Sequence, residues 1–429
     1  MTRAVTLTRT TITILAALCA AMLAWGATHA AGRSLHAARA HAAAACAYPD
    51  TFPATRDPSN PLDLAASPGP NPLTGAPLFV AGPAHGSAAG AIATLLGLNP
   101  KTMADTLTWG RFLERLQSGP LAARLGRDPG LAHKVALLEK LASQPEANRF
   151  SLYSGGGGPG AIYGQVHKIL CHNLAADPGT VPIFTTFFLY QAGYCESAGQ
   201  IVANRATFER QVDEVARGID RRPAVMLLEL DAIGASKCMQ STGALPYWEA
   251  DIRYEVDKLA ALPHALVYVE GGYSDGNSPG YTAGVLRAVD IGKIRGFFTN
   301  DTHENWTINE IRWAQRVSRL VGGTHFIVNT ATNGAGPLVP HNRVQNGNEV
   351  LCNPPGRGVG PQPTTAAVDP RSQKLFSGLD ALLWTAPPGN SSGSCNGGPP
   401  AGTYWTDKAL GLAARANGKL GPGYPSQPF

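Results

Sequence analysis

The sequence predicts an α/β fold, a barrel of seven parallel strands, and three observations predict it. Seven short runs rich in β-branched and aromatic residues punctuate the 429-residue chain. Most of them are separated by stretches with helical period. The runs are apolar throughout instead of alternating, the mark of strands buried on both faces. Strand, helix, strand in succession implies parallel strands joined by crossovers. Seven such units fit a closed barrel better than an open doubly wound sheet, which stands as the alternative.

The runs, in order, are PLFVA (77–81), VPIFTTFFLY (181–190), AVMLLEL (224–230), ALVYVEG (265–271), GFFTN (296–300), HFIVNTA (325–331) and DALLWT (380–385). Between them, residues 201–219 put Ile201, Val202, Phe208, Val212 and Val215 at helical spacing. Trp248, Ile252, Val256 and Leu259 do the same in the next unit, and Ile311, Ala314, Val317 and Leu320 in a third. From Leu351 to Ser394 the chain changes to Gly/Pro-rich loops, flanked by Cys352 and Cys395. Loops this long inside a domain are usually functional or disordered.

Ahead of the barrel, residues 1–30 have the features of a secretory signal: Arg3 and Arg9, the apolar stretch TILAALCAAMLAWGA, then small residues at ATHAAG with cleavage near Ala30. A membrane anchor is the competing reading, but the apolar run from Ile12 to Ala27 is shorter than the ~20 residues a spanning helix needs. Residues 31–70, rich in Ala, Pro, Ser and Asp, read as a leader or linker, and 71–429 as the barrel domain. An exported protein with no membrane attachment after cleavage is expected, taken as a monomer.

With 44% hydrophobic and 15% charged residues the chain can bury a large core. The +5 charge comes from 35 basic and 30 acidic residues without a basic run, so nucleic acid is not an expected partner. Export removes Cys19 and leaves Cys46, Cys171, Cys195, Cys238, Cys352 and Cys395, an even set that reads as disulfides. No CxxC or HxxxH spacing suggests a metal, and no cofactor is expected.

In a parallel barrel, function collects at the C-terminal ends of the strands. That rule selects Tyr190 to Cys195, Glu229 with Asp231, Glu270, Asn300 with Asp301, Asn329 to Asn333, and the loop after Trp384. In LLELDAIG, Asp231 suits a general acid, because partial burial at a barrel mouth raises a carboxyl pKa. Capping of the following segment is an equal alternative for it. Glu270 precedes two glycines that let a ligand approach the backbone, or else serves in an ion pair. Asp301, His303 and Glu304 could form an acid/base or metal cluster, with a solvated loop as the plainer reading. Tyr190, Tyr194, Tyr273, Trp306 and Trp384 offer flat faces for sugar rings, whereas Trp313 lies in a helical pattern and reads as core. No GxSxG, P-loop or GxGxxG occurs in a strand-to-helix setting.

In order, these motifs resemble glycoside hydrolase family 6, the inverting cellulases, from NPLTGAPLFV (71–80) to LWTAPPGNSSGSC (383–395). The resemblance implies a distorted barrel of seven parallel strands. LELD resembles the family's Glu-Pro-Asp motif, which makes Asp231 the catalytic acid with Glu229 beside it. FFLYQAGYC resembles the motif ending Arg-Asp-Cys, with Tyr194 where an aspartate assists the acid. VEGGY resembles Asp-Ala-Gly-His, placing Glu270 at the aspartate and Tyr273 at the histidine. FFTNDTHENW matches at Asn300 and Asn305. NTATNG stands for Asp-Thr-Ser-Arg-Asn-Gly, with Asn329 and Thr332 at its charged pair. APPGNSSGS stands for Lys-Pro-Pro-Gly-Glu-x-Asp-Gly, with Ala386, Asn390 and Ser392 at the lysine, glutamate and proposed base. The implied disulfides join Cys195 to Cys238 and Cys352 to Cys395, leaving Cys46 for Cys171.

Two functional expectations follow. The first is a secreted glycosidase on β-1,4-glucan or a related polysaccharide, with Asp231 and Glu270 as catalytic carboxylates and a displaced or missing base, for which Glu270, Asp301 and Glu196 are candidates. Its substrate would meet Glu229, Tyr194, Tyr273, Asn300, Asn305, Trp306 and Trp384. The second is a non-catalytic glycan-binding relative.

Overall fold

The structure, a computed structural model, describes residues 71–83, 86–100, 108–152, 154–176, 179–189, 196–337 and 352–426. The predicted signal and leader, Cys46, and Tyr190 to Cys195 lie outside the described residues. The described residues all fall in one compact unit, Pro53–Phe429.

Seven parallel strands form a curled α/β half-barrel. They are β1 (Asn148–Ser151), β2 (Ile183–Phe187), β3 (Ala224–Leu228), β4 (Ala265–Glu270), β5 (Gly296–Thr299), β6 (His325–Asn329) and, after the small antiparallel pair β7 (Val368–Asp369) and β8 (Lys374–Leu375), β9 (Leu379–Leu383). Their order is β1-β2-β3-β4-β5-β6-β9. Six of the predicted runs are thus sheet strands. The first, PLFVA, is not: it contributes a single parallel bridge, Leu78 to Val181. The sheet begins instead at Asn-Arg-Phe-Ser, whose polar residues carry no apolar run. Across the opening of the curl, the Ala147 N–H, just before β1, donates to Trp384 O (2.9 Å), and Thr185 Oγ1 of β2 donates to Thr385 O (2.7 Å).

Every residue of β3 is buried, as its continuous apolar run requires. Ile183, Val225, Leu227, Leu266, Tyr268, Phe298, Ile327 and Leu383 fill the space inside the curl. Gly296 is needed where β5 meets β6, since a Cβ there would stand 1.8 Å from His325 O. Inward positions turn polar towards the C-terminal ends, following the period of two. Tyr268 is followed by Glu270, Phe298 by Asn300, Ile327 by Asn329 and Leu383 by Thr385. That polar ring is the mouth of the barrel.

Helices cover the outside. The longest, Ala198–Ile219, starts with a capping box in which Ser197 and Gln200 satisfy each other's backbone N–H. A second apolar cluster joins Ile92, Phe112, Leu138, Val359, Trp384 and Leu412 from the helices and loops flanking β9. Cys352 and Cys395 are bonded as predicted. Cys171 and Cys238 are also in disulfides; their predicted partners lie outside the described residues. Among the described residues no helix is long and apolar enough to cross a membrane.

Candidate active site

The chain turns sharply at the exits of β3 and β5, where Glu229, Asp231 and Asn300 take φ of 53°, 63° and 66°. These left-handed positions fold the two exits towards each other. Thr302 Oγ1 donates to Asp231 Oδ1 (2.6 Å), and the Asp231 N–H donates to Asp301 Oδ2 (3.2 Å). Asp301 Oδ1 in turn accepts from Thr385 Oγ1 (3.0 Å). Asp231 is half-buried, and its second carboxylate oxygen takes no partner among the described residues.

Burial pushes the Asp231 carboxyl up, against the Thr302 hydroxyl, His303 and Arg149, which favour the ion. Burial and the charge of Asp231 push Asp301 up to about 7. Burial and the charges of Asp301 and Asp231 also hold Glu270 well above the carboxylate range. Three carboxyls in mutual reach do not all ionise together. The mouth therefore keeps an exchangeable proton near neutral pH.

Several predicted substrate contacts turn out to be occupied by the fold. Glu229 is buried, and its carboxylate accepts from the Phe188 N–H (2.9 and 3.0 Å) and the Leu189 N–H (3.0 Å), pinning the exit of β2. Glu270, predicted as catalytic, is 0% exposed. It accepts from the backbone N–H of Ile233 (2.7 Å), Gly234 (3.0 Å) and Gly272, so it anchors the loop after Asp231 and presents no surface to a ligand. Asn300 and Asn329 donate to each other's carbonyls (3.0 Å each). Asn305 is spent on Ser274, Trp306 and Asn309.

Of the aromatics, Tyr273 stacks on His303 with ring centres 3.3 Å apart, and His303 Nδ1 lies 3.0 Å from Asp275 Oδ1. Trp306 is half-buried over Gly336, where a Cβ would meet its ring at 2.1 Å. Trp384 does not serve as a sugar platform in this structure: it is fully buried in the second apolar cluster. Tyr194 lies outside the described residues. Glu304 is paired with Arg357 (3.1 Å), and Glu196 is buried, within electrostatic reach of Asp251. Among the described residues no group of acidic, His and Cys side chains could hold a metal ion.

The sequence reading missed the β1 wall. A cleft of about 490 Å³ runs along it, lined by Glu146, Arg149, Phe187, Pro387 and Asn390 among others. Arg149 lies over the Phe187 ring, 4.5 Å from its centre, within electrostatic reach of Asp301, Asp231 and Glu229. Burial raises Glu146 to about 8, and its Oε2 is buried without a hydrogen-bond partner. Ser392, at the position of the resemblance's base, is exposed and donates its N–H to Asn353 Oδ1 (2.9 Å). Lys408 braces the same loop, donating to Asn390 O (2.7 Å) and Asn353 Oδ1 (3.0 Å).

A curled parallel α/β half-barrel with several carboxyls gathered at the C-terminal ends of its strands defines a class, the parallel barrels that carry their functional site at that mouth. Residues 190–416 match the family described as glycosyl hydrolases family 6, and the chain belongs to that family. It is 31% identical over 282 residues to Endoglucanase A of Cellulomonas fimi, covering 66% of this chain and 56% of that one. It is 30% identical over 316 residues to Endoglucanase 1 of a Streptomyces strain, KSM-9, covering 70% and 77%. The chain thus spans little more than half of the first relative, and 59% of Endoglucanase A of Thermobispora bispora. Among solved structures it is similar to the endoglucanase Cel6 of Mycobacterium tuberculosis in complex with methyl-cellobiosyl-4-deoxy-4-thio-β-D-cellobioside. That match has a TM-score of 0.61 and 28% identity, over 81% of this chain and 99% of that one.

Proposed function

We propose that this chain is an exported glycoside hydrolase of β-1,4-glucan or a related polysaccharide, working with inversion and using Asp231 as the general acid. One observation carries the reading. Thr302 holds one Asp231 oxygen, while the other is unclaimed among the described residues of a half-buried, proton-retaining mouth. A general acid needs that arrangement: a fixed carboxyl, a raised pKa and an oxygen open to the leaving group. The endoglucanase relatives support a β-glucan substrate, and the part-exposed Tyr273 and Trp306 are the aromatic faces suited to its rings. Glu229, Glu270, Asn300 and Asn305 serve by holding the loops that carry Asp231.

Inversion also requires a base that deprotonates water on the opposite face of the sugar. The loop 386–394 contains no carboxylate, and the Ser392 hydroxyl does not ionise at neutral pH. At that wall the carboxyl lining the cleft is Glu146, beside Pro387 and Asn390; burial raises it to about 8, so it is protonated at neutral pH and does not serve as that base. Asp231→Asn is expected to lower release of reducing ends from β-glucans by about 10²- to 10⁴-fold without unfolding the protein.

The charge-free loop 386–394 favours a second reading, a glycan-binding relative without turnover. Oligosaccharide binding with no reducing ends released over long incubation would establish it.

A further inference from the structure

Among the residues that line the cleft along β1, two carry ionisable acid or base groups, Glu146 and Arg149. Burial raises Glu146 to about 8, so at neutral pH and below Arg149 is the one charge in that lining among the described residues. Its guanidinium lies over the Phe187 ring, 4.5 Å from the centre, and makes no hydrogen bond or ion pair among the described residues. Lys408, the cation that braces the loop on the other side of the cleft, is by contrast spent on Asn390 O and Asn353 Oδ1. A guanidinium stays protonated in proteins and carries its N–H donors in a flat fork. Donors withdrawn from water without an acceptor cost free energy, which a ligand that accepts from them recovers.

We propose that Arg149 is a specificity residue for an acidic sugar: at the β1 wall it takes the carboxylate of a uronate unit in a β-linked glucan chain, two N–H groups to two oxygens. The inference rests on the reading of this mouth as a glycan site. A carboxylate matches the fork in both charge and geometry, whereas a sugar hydroxyl brings no charge. Phe187 backs the guanidinium from β2, a cation–π contact that helps fix its direction. Asp301, Asp231 and Glu229 support the charge of Arg149 against burial, but from a distance, without a bond to it among the described residues. Glu229 is raised to about 7 by burial, and Asp301 to about 7 by burial and the charge of Asp231. At pH 6 both therefore hold their protons and leave the guanidinium to a ligand. The loop 386–394, which adds Pro387 and Asn390 to the lining, has no carboxylate to repel an anion.

The experiment is calorimetric titration at pH 6 with two probes, cellotriose and the same trisaccharide oxidised to the carboxylate at every C6, which offers a uronate in any register. Physiological salt screens the net charge of +5, and an Asp231→Asn background removes turnover. The acidic trisaccharide is expected to bind about tenfold tighter than cellotriose or better, and Arg149→Met in the same background to bring the two affinities together. Equal or weaker binding of the acidic form would overturn the proposal. So would an unchanged ratio in Arg149→Met, the result expected if the guanidinium only balances the carboxyls of the mouth, since its loss would then affect both sugars alike. Arg149→Lys keeps the charge and loses the fork; it serves where Arg149→Met does not fold, and there too the ratio should fall. Binding is read without hydrolysis, so the two readings fail separately. Uronate preference in a chain that releases no reducing ends sinks the hydrolytic reading alone, and turnover of neutral glucan without that preference sinks this one alone.

Discussion

At the scale of the residue, the account turns on what surrounds one carboxyl. Thr302 stabilises the Asp231 carboxylate by donating to it at 2.6 Å, so the hydroxyl lowers the pKa that burial raises. Thr302→Val should therefore move the basic limb of the kcat/KM profile to higher pH. An unmoved or lowered limb would contradict the role given to that hydroxyl. The position of Asp231 was legible in the sequence, because an apolar strand ending in carboxylates is a local pattern. Its partnership with Asp301 was not, because the two lie 70 positions apart and meet only through turns with positive φ. The partners of Glu270 were hidden for a related reason. A strand-end carboxylate looks the same in sequence whether it faces a substrate or, as here, backbone N–H groups.

At the scale of the element, most strands could be read directly, since parallel strands buried on both faces are apolar runs. β1 could not. It carries Arg149 and Ser151 at the wall of the cleft, so the wall that holds Glu146 and Arg149 has the composition of a loop. PLFVA has the opposite character, an apolar run that makes one bridge because its side chains pack without joining the ladder. Trp384 was read as a platform from its place after a strand, yet the cluster formed with Ile92, Phe112 and Leu138 buries it. Close packing between β5 and β6 gives a test of the strand assignment. Gly296→Ala places a methyl 1.8 Å from His325 O, and the strands must separate to admit it. A loss of about 1–3 kcal/mol or more in chemical unfolding is expected; wild-type stability would contradict that register.

At the scale of the whole molecule, the raised carboxyls act together on stability. Burial raises Glu229, Asp301 and Glu310 to about 7, and Glu146 and Glu304 to about 8. In the unfolded chain the same groups titrate near 4. Between those limits the folded protein binds more protons than the unfolded one, so stability is greatest at the acidic end and falls as pH rises towards 8. Asp213 and Glu214, lowered by their hydrogen bonds, act in the other direction but are fewer. Tm should accordingly be higher at pH 5 than at pH 8, and the reverse order would contradict the burial of these acids.

The central claim is that a mouth built around Asp231 hydrolyses a β-1,4-glucan with inversion. The most direct measurement follows the anomeric protons by NMR during the first minutes of cello-oligosaccharide cleavage, with wild type and Asp231→Asn side by side. The account predicts that the α-anomer of the new reducing end appears first in the wild type, and that neither anomer appears in the variant above about a hundredth of that rate. A β-anomer formed first, or equal product from both proteins, would contradict it.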